Sequence, residues 1–426
     1  MAIEAIAVFA GLCTLLILGV PIAVSLGMTA ILTLALVGNQ AALLAFPQKL
    51  FVGADSFPLL AIIFFMIAGE LMLQGGISKR LITMAKCFLY GLRGSLALIT
   101  FVASAFFGAL SGSGMATTAA IGKIMYPEMK RDGTYEEGFA LSISAVGGTL
   151  GPMIPPSIAL VVYGSLTNTS IGDLFIATIV PALLTCAMFC LTGYFIIKKR
   201  EMATNLVKPD KGIIAAFLDG IWALITPLII LGGIYSGIFS PTEAAAVSCA
   251  YALIIGVFVY KELNWQTLYK ALKDAAIGTS AIMFLICCAT YFGWVITLEG
   301  IPQFITGAAM NVVNDKIVFL MIVNVVFLIA GMFVDIFTVM LLTIPLILPI
   351  ATHLGIDLVH FGVVANINLG LGLITPPFGA CLFVASSIDR SVTLETIYKG
   401  VIPFVIAAFI GVLIISYVPA LSLWFK

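Results

Sequence analysis

"GALSGSGMATTAAIGKIMYPEMK", residues 108–130, decides how this chain folds. One apolar run leads into the stretch and another leads out of it. Between them stand Ser111, Gly112, Ser113 and Gly114, which have almost no side chain. A simple membrane span has no use for glycines and small hydroxyls at its middle. A chain that turns back at mid-depth beside a polar site does.

Composition sets the solvent. Of 426 residues, 62% are hydrophobic and only 9% charged, where a soluble domain carries about 25% charged residues. So much apolar surface cannot be hidden in a soluble fold, so the chain reads as an all-α integral membrane protein. A span needs about 20 apolar residues. Formal net charge is zero, which gives no reason to expect nucleic acid as a partner. The eight cysteines sit almost entirely in apolar runs and read as small core residues. Cys186 and Cys190 share a helix face, but no further ligand stands near to complete a metal site. His353 and His360 read as interface residues of one loop. No signal peptide is expected, because Glu4 precedes the first apolar run where a basic region would stand.

Apolar runs and their Gly/Pro breaks give crossings at about 3–20, 21–38, 57–75, 135–163, 172–197, 214–235, 241–260, 277–298, 358–388 and 399–424. Two stretches, 94–130 and 317–352, are too long for one span and too interrupted for a straight helix. Each reads as a re-entrant hairpin. With the N-terminus outside, 17 of the 20 Lys and Arg residues then fall on the cytoplasmic side, and only Lys49, Lys316 and Lys426 fall outside. That bias obeys the positive-inside rule and places both termini outside. Segments 77–92 and 264–276 read as amphipathic helices lying in the interface.

The two halves repeat. At an offset of 221 residues Pro155-Pro156 falls on Pro376-Pro377, Leu150-Gly151 on Leu371-Gly372, Thr117 on Thr338, and Gly114 on Asp335. Each half has five crossings and one hairpin. Five is odd, so the halves are inverted, a plan common among secondary transporters. The first repeat is 1–212, with a frame at 1–93, a transport part at 94–200 and a cytoplasmic linker at 198–212. The second is 213–426, with a frame at 213–316 and a transport part at 317–426.

Bare backbone is tolerated in lipid only where it is buried or lines a polar cavity. Four breaks meet that description: the hairpin tips at 111–114 and 331–338, and the interrupted crossings at 147–157 and 370–379. Pro-Pro cannot continue a helix. Helix N-termini favour anions and free carbonyls favour cations, so two repeats predict at least two Na⁺ sites. Asp335 stands in a wholly apolar run and reads as a cation ligand or proton carrier, since buried acids in membranes are expensive. Glu70, Lys123 and Asp173 lie nearer segment ends and snorkel. Glu243 reads as a helix-start acid. The tip is no phosphate loop, because no GK[ST] follows. An intramembrane enzyme would need a nucleophile–base pair or a metal cluster that this sequence lacks.

"GALSGSGMATTAAIGKIMYPEM", "GGTLGPMIPPS" and "NLGLGLITPPFGACLFVAS" together resemble the large membrane subunit of TRAP (tripartite ATP-independent periplasmic) transporters. The resemblance covers essentially the whole chain. It implies Na⁺-coupled import of an organic acid across a bacterial inner membrane by an elevator motion, with no cofactor beyond the coupling ion. It implies a small four-helix membrane subunit as a separate chain, and a periplasmic substrate-binding protein. Carried onto this sequence, one cation site uses Ser111, Ser113, Gly148 and Gly151, with Ser157 beside them. The other uses Gly331, Asp335, Thr338, Gly370 and Thr375. The substrate is expected against Ser111, Ser113, Gly114, Pro155, Pro156, Ser157, Pro376 and Pro377. Sialic acid and C4-dicarboxylates are both family substrates, and the reading leans to sialic acid. The alternative is a stand-alone Na⁺/dicarboxylate-type symporter that needs no binding protein.

Overall fold

Every regular element among the described residues is helical. The structure, a computed structural model, describes residues 2–92, 94–200, 212–310 and 315–426. Most of the 198–212 linker, with Lys208 and Lys211, and also Arg93, lies outside them. Helices satisfy their own backbone groups, which a bilayer demands.

The first repeat holds α1 (Ala2–Ile17), α2 (Ile22–Val37), α3 (Gln40–Leu44), α4 (Phe46–Ala54), α5 (Leu60–Gln74) and α6 (Ile77–Leu89). It continues with α7 (Ser95–Ser111), α8 (Gly114–Asp132), α9 (Glu137–Met153), α10 (Ile158–Thr167) and α11 (Ile171–Lys199). The second holds α12 (Ile213–Tyr235), α13 (Pro241–Ile254), α14 (Trp265–Leu298), α15 (Ile301–Met310), α16 (Lys316–Phe333), α17 (Ile336–His353), α18 (Leu358–Gly372), α19 (Ala380–Ile388) and α20 (Leu394–Tyr417). The order matches over the last five helices of each repeat: hairpin α7–α8 answers α16–α17, and the broken pair α9–α10 answers α18–α19. Among the described residues, nine helical stretches are long and apolar enough to cross a membrane, and both arms of the second hairpin are among them. The multi-pass reading stands on that.

Local chemistry explains the boundaries. Ser240 and Glu243 close a reciprocal capping box at the start of α13, the role expected of that acid. Gly38 ends α2 in a left-handed turn.

Three expectations change. Residues 264–276 do not lie apart in the interface, because they open the unbroken 34-residue helix α14. That helix contains no proline. Its counterpart in the first repeat is split into α4 and α5 at Asp55-Ser56, just before Pro58, where Pro forbids continuation. The last crossing starts earlier than read, at Leu394, and stops before Pro419. His353 and His360 do not share a loop. His353 ends α17, whereas His360 sits in the first turn of α18, 2% exposed, its Nε2 3.2 Å from the Ser416 carbonyl oxygen. That contact draws the imidazole into the protein.

Ion pairs among the described residues sort cleanly by end. Lys86–Glu128, Lys130–Glu137, Lys130–Asp389, Arg200–Glu136 and Arg80–Glu262 gather at one end of the bundle. Lys426–Asp357 stands at the other. None of these pairs joins residues read as lying on opposite sides. At the basic end Asp389 is held below the usual carboxylate range by hydrogen bonds from Ser391, Tyr126 and Lys130. This cluster ties hairpin arm α8 of one repeat to the end of α19 in the other.

Candidate functional site

The first hairpin turns in two residues. Gly112 takes a left-handed conformation, φ +60°, which suits glycine. Ser113 then caps α8, its Oγ accepting from the Ala116 N–H at 3.3 Å. Oxygens crowd this tip. Ser111 Oγ lies 3.0 Å from Thr117 Oγ1, which donates to the Ser113 carbonyl at 2.8 Å. Thr118 Oγ1 donates to the Gly114 carbonyl at 2.9 Å.

The tip rests on the glycine face of α9. A methyl at Gly151 would lie 2.5 Å from the Ser113 carbonyl oxygen and 2.8 Å from Thr117 Oγ1, and one at Gly148 would overlap Thr118 Oγ1. Only glycine allows so close an approach. Gly108 on arm α7 meets Gly151 in the same way. Beyond the break, a methyl on Gly112 would stand 3.3 Å from the Pro156 carbonyl oxygen. Ser157 follows at once, fully buried, its Oγ without a protein partner. It precedes α10 but makes no capping bond. The structure therefore brings Ser111, Ser113, Gly148, Gly151 and Ser157 to one place, with Gly114 against the Gly148 carbonyl.

The first break also leaves carbonyls open. In a continuing helix the carbonyls of Gly151 and Pro152 would accept from residues 155 and 156. Both are proline and have no N–H. The second break is better closed: Gly372 O accepts from Thr375 N at 3.0 Å and Leu373 O from Cys381 N at 3.0 Å. Both Pro-Pro bonds are cis.

At the second tip Asp335 caps α17. Its Oδ2 accepts from Thr338 N at 3.1 Å and its Oδ1 from Thr338 Oγ1 at 2.6 Å. Asp335 and Ser113 hold the same capping position, so the hairpins align at an offset of 222. The pairing of Asp335 with Gly114 is corrected accordingly. The hairpin tip aligns one residue off the broken crossings because arm α8 has 19 residues and arm α17 has 18. Gly331 packs on Gly372, whose added methyl would lie 2.6 Å from the Gly331 carbonyl carbon. Gly370 faces elsewhere, against Met153 of α9. Thr375 Oγ1 donates to the Leu371 carbonyl at 3.0 Å. Pro155 and Pro156 are buried, whereas Pro376 is half-buried and Pro377 exposed. Tyr398 donates to the Pro377 carbonyl at 2.6 Å, and exposed Phe378 meets Phe333 with ring centroids 5.3 Å apart.

Buried amides escaped the sequence reading. Asn324, Asn366 and Asn368 are fully buried. Asn368 Nδ2 donates to Asn324 O and Oδ1, both at 2.9 Å, and Asn324 Nδ2 donates to Ser416 Oγ at 2.9 Å. This chain fastens arm α16 to α18 and α20. The logic that singled out Asp335, a polar group alone in an apolar run, applies equally to "MIVNVVF" and "ANINLG".

Residues 9–421 match the family described as tripartite ATP-independent periplasmic transporter, DctM component. The chain is 42% identical to the isethionate TRAP transporter permease protein DctMQ of Oleidesulfovibrio alaskensis, over 96% of this chain and 64% of that protein. It is 36% identical to the sialic acid TRAP transporter large permease protein SiaM of Vibrio cholerae, over 96% of this chain and 95% of SiaM. With the C4-dicarboxylate large permease DctM of Pseudomonas aeruginosa it shares 38% identity over 94% of this chain and 93% of that one. The crystal structure of the Alcanivorax borkumensis YdaH transporter superposes with a TM-score of 0.62 at 14% identity, covering 89% of this chain and 87% of that one, so the two share a fold. These relatives are permease components rather than enzymes, and the chain belongs to the DctM component family of tripartite ATP-independent periplasmic transporters.

Proposed function

We propose that the chain is the carrier subunit of a Na⁺-coupled importer. It accepts a small organic acid anion from a periplasmic binding protein and moves it across the bacterial inner membrane. One observation carries this reading: the hairpin-one tip and the break it meets assemble oxygens with too few donors. Ser157 Oγ is buried and unpaired, Gly151 O has lost its helical donor, and Ser111 Oγ, Thr117 Oγ1 and Ser113 O stand within one cluster. Hard cations are held by such carbonyl and hydroxyl oxygens. Asp335 with Thr338 serves a second Na⁺, beside Gly331, Gly372 and Thr375. The anion sits between the breaks, near Pro155, Pro156, Ser157, Pro376 and Pro377. There α10 begins without a side-chain cap, which frees first-turn N–H groups for a negative charge; α19 also lacks a side-chain cap, but its Cys381 N–H already donates to Leu373 O.

In the elevator reading, the hairpins and the helices from α9 to α11 and α18 to α20 form the moving body. The remaining helices are the frame, which holds a separate four-helix membrane subunit. Both termini face the periplasm. The names of the relatives span isethionate, sialic acid and C4-dicarboxylate, so the shared requirement is an anionic organic molecule and the binding protein selects among them. The test is uptake into proteoliposomes holding this chain and its small subunit, with loaded binding protein outside. Uptake is expected only with an inward Na⁺ gradient and only with the binding protein present. Uptake of free substrate without the binding protein would favour the stand-alone symporter. Uptake indifferent to Na⁺ would end the coupling proposal.

A further inference from the structure

Asn366 lies on α18 of the second repeat and reaches across to the first. Its Nδ2 donates to the Pro152 carbonyl at 3.0 Å, and the side chain is fully buried. Pro152 O is one of the two carbonyls that Pro155-Pro156 deprive of a helical donor, and Asn366 supplies the donor from outside the helix. The carbonyl can only accept, so the amide orientation is fixed. Its Oδ1 is then left buried with no protein partner. An unpaired buried acceptor costs about 1–3 kcal/mol; a leucine of similar volume would remove Oδ1 but leave the Pro152 carbonyl without a donor, so the amide is what satisfies the broken end of α9.

We infer that Asn366 is a positioning residue for the first cation site, holding the last turn of α9 so that Gly151 O and Ser157 Oγ keep their places beside the hairpin tip. The proposal rests on the Na⁺ reading above and names a residue from the opposite repeat as part of that site's support. It makes the first site dependent on α18, which also carries the second break. Gly370, one turn further along α18, packs on Met153 of the same α9 terminus, so the two helices touch at the amide and again one turn beyond it.

The experiment measures melting temperature of the purified chain in detergent against Na⁺, with choline replacing it. Asn366→Leu and Asn366→Ala are compared with Asn368→Leu, a control on the same helix and equally buried. For the unaltered protein, Na⁺ is expected to raise the melting temperature in a saturable way. Both Asn366 variants should need at least fivefold more Na⁺ for half the effect. The Asn368 variant should melt lower in choline yet keep the original Na⁺ requirement. If both Asn366 variants keep that requirement, the residue serves packing and the inference is overturned, while the cation site itself stands. If Na⁺ leaves the unaltered protein's melting point unchanged, the cation reading fails and takes this inference with it.

Discussion

Asp335 and Ser113 hold one structural position in two copies of a hairpin, yet one brings a charge and the other a hydroxyl. Each caps the helix that follows, through Thr338 N and Ala116 N respectively. Asp335 is half-buried and accepts from Thr338 N and Oγ1, and in the proposed site its charge is what holds the Na⁺. Asp335→Asn keeps the shape and one accepting oxygen but loses the charge. It is expected to raise the Na⁺ concentration for half-maximal uptake at least tenfold while the protein still reaches the membrane. Ser113→Ala should shift Na⁺ dependence less, because backbone oxygens remain; losing the cap costs about 1 kcal/mol. Uptake with unchanged Na⁺ affinity and unchanged maximal rate in Asp335→Asn would remove Asp335 from the ligand set. Gly151→Ala tests the close approach itself. Its methyl meets a backbone oxygen, Ser113 O, which cannot swing aside as a side-chain tip would. Overpacking of this kind costs about 1–3 kcal/mol. The variant should fold with a lowered melting temperature and lose Na⁺ stabilisation; full retention of both would show that the tip does not need contact with α9.

At the scale of elements, the helices and their breaks were legible because proline, glycine and hydropathy act locally. Pro-Pro at 155–156 and 376–377, and the small residues at 111–114, announce their interruptions without tertiary information. What the sequence hid was direction. Gly370 and Gly372 look alike in "LGLGL", yet only Gly372 faces the hairpin, while Gly370 faces Met153. Two residues along a helix turn the side chain by about 200°, so the choice depends on how α18 is rotated against its neighbours. Asn324, Asn366 and Asn368 went unread as site residues because an amide carries no charge to stand out. Helix α6 shows a further element-level device. Arg80, near its start, pairs with Glu262 at 2.7 Å and lies 3.7 Å over the Tyr260 ring, both in the frame of the other repeat. Lys86, near its end, pairs with Glu128 of hairpin arm α8 at 2.5 Å. One short helix thus links the proposed frame to the proposed moving body. Lys86→Ala should change the transport rate severalfold, and Lys86→Glu with Glu128→Lys should restore it. Both partners are half-buried but still reached by solvent, and such a pair contributes about 1 kcal/mol, so stability should move little. No effect of the single change on rate would mean the strap carries no load.

At the scale of the whole molecule, the inverted repeat is proposed to supply two half-sites of opposite orientation that move together against a frame. The ion pairs already divide the bundle into a basic end and an opposite end. Cysteine at position 390 should react with a membrane-impermeant maleimide only after the cells are opened, and cysteine at 426 in intact cells; the reverse pattern would invert the proposed orientation. Motion is tested most directly where frame and body touch. Ser56, at the break between α4 and α5, and Ser165, near the end of α10, have hydroxyls 3.4 Å apart. The decisive measurement is Na⁺-driven, binding-protein-dependent uptake by the Ser56→Cys/Ser165→Cys double variant, oxidised and then reduced. A body that carries its site past a fixed frame must stop when those residues are joined, so oxidation is expected to abolish uptake, reduction to restore it, and neither single variant to respond. Full uptake by the cross-linked protein would contradict movement of the body against the frame.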